Sequence, residues 1–134
     1  MLAPALETVR LTLHVLAASV WVGGQIVMTG LVGPARGLGG DAPRTLARAF
    51  ARLAWPAYAL LVVTGIWNVT AVGYAQQDSA WKAVLMAKIA VVVLAGVGAF
   101  LHQRSTSPRQ LALWGSVGGL ASVTALVMGI LLAG

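Results

Sequence analysis

Four long runs of this chain are almost free of charge. Residues 11–35, 53–77 and 110–134 carry no formally charged side chain, and the run 81–102 carries Lys88 in its interior, with Lys82 at its margin. A helix needs about 20 apolar residues to cross the hydrocarbon core of a bilayer. The expected fold is therefore all-α: a polytopic membrane four-helix bundle with spans of about 11–33, 53–75, 81–102 and 111–133. The whole chain, 1–134, is expected to be one transmembrane domain. A signal-peptide core has about 7–15 apolar residues, so the longer first run is expected to be a retained helix.

Composition supports this class. Hydrophobic residues make up 59% of the chain and charged residues 9%, where a soluble domain carries about 25% charged residues. The absence of cysteine excludes disulfides, thiolate metal sites, iron–sulfur clusters and cysteine nucleophiles. The net charge of +6 comes mostly from arginines. It forms no basic patch interleaved with aromatics, so no nucleic acid is expected as a partner. The three acids, Glu7, Asp41 and Asp78, all lie outside the runs. Carboxylate-metal chemistry, acid–base hydrolysis and a buried serine triad are disfavoured accordingly, and no catalytic residue is assigned.

Arg36, Arg44, Arg48, Arg52, Arg104 and Arg109 fall in the first and third connectors, whereas only Arg10 and Lys82 fall on the other side. The positive-inside rule then places both termini outside the cytoplasm. The expected location is the bacterial inner (plasma) membrane, multi-pass. In the long first connector, Asp41 or Pro43 is expected to open a short helix through Thr45–Phe50. Trp55, Trp81 and Trp114 fall near span ends, where tryptophan is enriched.

An ionisable group inside a span is costly and marks a candidate functional site. His14 is one. At about 100° per residue, Ala18, Trp21, Gln25 and Met28 fall within about 40° of it on one face. On the third span Trp81, Lys88, Val92, Ala95, Ala99 and His102 share a stripe, and Met86 lies about 200° from Lys88. The first and third spans run the same way, so His14 and Lys88 sit at similar depth. His102 is about 21 Å further along the axis than Lys88, which keeps His14 and His102 from sharing one ion. Met128 on the fourth span, and Thr64, Trp67 and Asn68 on the second, reach the same half of the membrane as His14.

The string Leu13-His14-Val15-Leu16-Ala17-Ala18-Ser19-Val20-Trp21-Val22-Gly23-Gly24, with Thr64-Gly65-Ile66-Trp67 and Trp81-Lys82-Ala83-Val84-Leu85-Met86-Ala87-Lys88, resembles the copper resistance D (CopD) membrane family. The resemblance covers the first three spans, and its most specific part is His-x6-Trp-x-Gly-Gly. It implies copper homeostasis, with copper bound or passed across the membrane at His14. Cu(I) prefers imidazole and thioether ligands, so the metal candidates are His14, Met28, Met86, His102 and Met128. More distantly, the His14 and Lys88 pair is similar to the HemJ-type protoporphyrinogen oxidases. That resemblance implies haem b, with His14 as axial ligand and Trp21 and Lys88 beside it, and a haem-dependent oxidoreductase activity. The copper reading implies no enzyme. A third expectation is a structural or accessory membrane protein in which His14 bonds Asn68 or a backbone carbonyl. Partners on these readings are membrane lipid, a metal ion or haem, and a second copy of the chain.

Overall fold

The structure, a computed structural model, describes residues 4–134. It contains four long helices, α1 (Ala5–Gly37), α2 (Ala42–Val72), α3 (Ser79–Arg104) and α4 (Pro108–Ala133), and no strand among the described residues. The helices have 33, 31, 26 and 26 residues. At 1.5 Å per residue even the shortest exceeds the roughly 30 Å hydrocarbon core. All four are long and apolar enough to cross a membrane, which fits a multi-pass membrane protein.

The connections are short and locally encoded. Gly39 and Gly40, at φ 75° and 56°, supply the left-handed turn between α1 and α2. Gly73, at φ 72°, ends α2. The Asp78 side chain accepts from Trp81 N at 2.7 Å to start α3, and Ser107 accepts from Gln110 N at 3.2 Å with Pro108 in the first turn of α4. Each is an oxygen N-cap satisfying a donor that the helix leaves open.

Two features differ from the sequence expectation. The segment Thr45–Phe50 is not a separate short helix: it is the first part of α2, which runs unbroken into the span. No Gly or Ser breaker lies between residues 45 and 53, so the helix has no reason to stop. Helix α1, in turn, contains one π turn, Ser19–Gly23. A π turn inserts one extra residue, which rotates everything after it by about 100° relative to the residues before. Gln25 and Met28 are therefore turned off the face that carries His14, and the uniform stripe drawn from an ideal helix ends at the π turn. The Gln25 side chain donates to Trp21 O at 2.9 Å, satisfying a carbonyl within that turn.

The described residues divide into two compact units, one up to Gly73 and the other Tyr74–Gly134. Each is an antiparallel helical hairpin. In the second unit, α3 and α4 meet through small residues: Ala95, Gly96, Gly98, Gly118, Ala121 and Ser122 are all buried. A Cβ added at Gly98 would stand 2.8 Å from the Gly118 backbone nitrogen, so the two backbones touch directly. Close approach of this kind is how membrane helices gain dispersion contact without a hydrophobic driving force. Trp81 Nε1 donates to Leu132 O at 3.1 Å at one end of this hairpin. Large apolar side chains such as Val15, Ile26, Val63, Ile66 and Ile130 point outward, as a lipid-facing surface requires.

Candidate functional site

The polar groups of the first unit form a ladder along the seam between α1 and α2. Arg10 Nη1 donates to Asn68 Oδ1 at 2.6 Å. Four residues further along α1, and four residues back along α2, His14 Nδ1 meets Thr64 Oγ1 at 2.7 Å. The matched four-residue steps are one turn on each antiparallel helix, so both pairs lie on the same seam. Two turns deeper Trp21, only 4% exposed, packs its ring 4.7 Å from Tyr58 and 5.4 Å from Trp55. Gly65 sits beside the imidazole, where an added Cβ would lie 3.7 Å from His14 Cε1.

Proton counting assigns the His14 tautomer. Thr64 is 1% exposed, and its hydroxyl has a single proton. That proton goes to Leu60 O at 2.6 Å on the preceding turn. Toward His14 the hydroxyl oxygen therefore accepts, and Nδ1–H donates. The neutral ring then carries its lone pair on Nε2. This is how a ligating histidine is oriented, with one nitrogen tied to a second group and the other given basicity toward a metal.

Arg10 is the residue that sequence reasoning missed. It was expected to precede the first span. In the structure α1 begins at Ala5 and Arg10 is inside it, 6% exposed. Its Nη2 stands 3.9 Å from Glu7 Oε1, beyond hydrogen-bond length. The available signal was Asn68, a polar residue at the matching depth of the second span, which was assigned to His14 instead. Asn68 serves Arg10, and Thr64 serves His14.

Of the other candidates, Met28 is half-buried in the same unit, about 21 Å along α1 from His14 and rotated by the π turn. Lys88, Met86, His102 and Met128 belong to the second unit. The stripe on α3 does face α4. Lys88 Nζ lies where a Cβ on Gly129 would be 2.9 Å away, and His102 Nδ1 contacts Leu111 O at 2.8 Å. A carbonyl only accepts, so His102 too carries its proton on Nδ1. Met86 is 51% exposed and points away from this hairpin. Among the described residues no three of His, Cys, Asp and Glu gather as a metal site. Set against protein-family models, characterised proteins and solved structures, the chain matches none of them.

Proposed function

We propose that this chain is a membrane protein that holds haem b through Nε2 of His14. The observation that carries the reading is the 2.7 Å hydrogen bond from His14 to the buried Thr64 hydroxyl, which fixes the ring and its lone pair. The donor set suits haem better than a bare copper ion. Arg10, a cation, stands one turn, about 6 Å of backbone rise, along the helix from His14. A cation bound at His14 would meet like-charge repulsion there, whereas the two propionates of haem b would meet a charge partner. Arg10 has five N–H donors, and its second terminal nitrogen is beyond hydrogen-bond length of Glu7. Bound there, haem b would supply one-electron redox chemistry at iron. The chain's own contribution is to orient the imidazole through Thr64 and to offer the guanidinium of Arg10 to a carboxylate.

A second reading, copper homeostasis with copper as cargo, is supported by His102. Its Nδ1 is anchored like that of His14, so each unit holds one imidazole of the same tautomer, and Met28 in the first unit and Met128 in the second are soft sulfur donors. Titration of the detergent-purified chain decides between the two. Haem addition is expected to give a saturable Soret band that His14→Ala lacks. A chain that stays colourless overturns the haem reading. Saturable Cu(I) binding that disappears in His14→Ala, in a chain that takes no haem, would support copper instead.

A further inference from the structure

Helix α2 is longer than its membrane span. Its 31 residues extend about 46 Å, against a hydrocarbon core of about 30 Å. The uncharged part, residues 53–72, accounts for the core on its own. Residues 42–52 therefore project about 16 Å beyond it as a rigid continuation of the same helix. This projection carries Arg44, Arg48 and Arg52 at four-residue intervals, each about 6 Å nearer the membrane core than the last and on one slowly drifting face. All three are exposed. Trp55, less than one turn below Arg52, marks the interfacial level.

We propose that Arg44, Arg48 and Arg52 form a row that binds the phosphates of anionic phospholipids in the leaflet on the side of the first connector. None of the three makes a hydrogen bond or ion pair among the described residues, where the one ion pair is Arg10 with Glu7. Asp41, the sole acid between residues 36 and 52, makes no ion pair. Arg44, in the first turn, also sits at the unfavourable end of its helix. The N-terminal part of a helix carries the positive end of the macrodipole, which disfavours cations there. Asp41 at the N-cap is the sole acid beside it, and a layer of phosphates would add further negative charge. Arginine suits the task because its planar fork pairs two N–H donors with two phosphate oxygens. The positive-inside rule accounts for basic residues in this connector, but not for three of them in a row on one rigid face without counter-ions among the described residues.

The test is lipid retention by the full purified chain, measured by native mass spectrometry after exchange into micelles containing phosphatidylglycerol or phosphatidylcholine. Micelles have no sidedness, so a change of topology cannot imitate the result. Wild type is expected to retain phosphatidylglycerol preferentially. Arg44→Gln/Arg48→Gln/Arg52→Gln should lose that preference on the order of 100-fold, from about 1 kcal/mol per basic residue near an anionic surface. Arg104→Gln/Arg109→Gln should keep it. Equal retention by wild type and the triple variant, or no preference in wild type, overturns the proposal. If the triple variant does not fold, wild type alone still decides. Raising salt from about 0.05 to 0.5 M shortens the screening length severalfold and should strip phosphatidylglycerol. Retention that ignores salt contradicts a phosphate site.

Discussion

Replacing Thr64 by valine should weaken haem binding about 10- to 100-fold while leaving the first hairpin folded. Valine keeps the shape of threonine and removes the hydroxyl. Thr64 is 1% exposed, so no water takes the place of the lost acceptor, and His14 Nδ1–H loses its 2.7 Å partner. An unmet buried donor costs about 1–3 kcal/mol, although polar pairs between membrane helices average nearer 0.6 kcal/mol. The helix itself should not suffer, because the Thr64 hydroxyl bonds back to Leu60 O at 2.6 Å and such back-bonding slightly destabilises a helix. The loss should therefore appear in the ligand: groups that orient a ligating histidine are worth about 10- to 100-fold in affinity. The assay is haem titration followed by Soret absorbance, with thermal unfolding in the same detergent as the control for folding. Thr64→Ser, which restores the hydroxyl, should bind within about threefold of wild type, far short of the loss expected for valine. Unchanged affinity in a folded Thr64→Val would refute the view that Thr64 orients a ligand.

Other substitutions test the rest of the seam and the second hairpin. Asn68→Leu leaves the buried Arg10 guanidinium without its 2.6 Å acceptor and should destabilise the protein by about 1–3 kcal/mol, read as a lower midpoint in SDS unfolding; an unchanged midpoint removes the Arg10–Asn68 pair from the account. Gly98→Ala places a methyl 2.8 Å from the Gly118 backbone and should cost about 1–3 kcal/mol, whereas Gly119→Ala, with nothing within 4 Å of the added Cβ, should be nearly silent in the same measurement. Lys88 has no hydrogen-bond or ion-pair partner among the described residues, so Lys88→Met should raise stability by about 1–3 kcal/mol, given the insertion cost of a central lysine. A drop in stability would show that the ammonium is compensated.

The span count was legible because charge-free runs of this length have one common outcome. The α3 stripe was legible for a related reason: α3 is a regular helix, so 100° arithmetic held along its whole length and put Lys88 and His102 on the face toward α4. On α1 the same arithmetic stopped working at Ser19–Gly23, because a π turn leaves no mark in residue type that periodicity can detect. That is why Met28 was grouped with His14. Arg10 was hidden differently. A charge at the edge of an apolar run reads as the boundary of a span, and only the pairing with Asn68, 58 residues away in sequence, shows that the helix continues through it. Thr64 was noted as a polar group of the second span, but choosing it over Asn68 for His14 requires the antiparallel register of α1 and α2.

The central claim is that Nε2 of His14 is the ligand to iron. The most direct test is the absorption spectrum of His14→Gly after haem addition, recorded with and without imidazole in the buffer. Deleting the side chain should abolish the Soret band, and free imidazole entering the space it vacates beside Thr64 should restore it in a saturable way, with no such response in wild type. A His14→Gly protein that binds haem as wild type does, before any imidazole is added, contradicts the account.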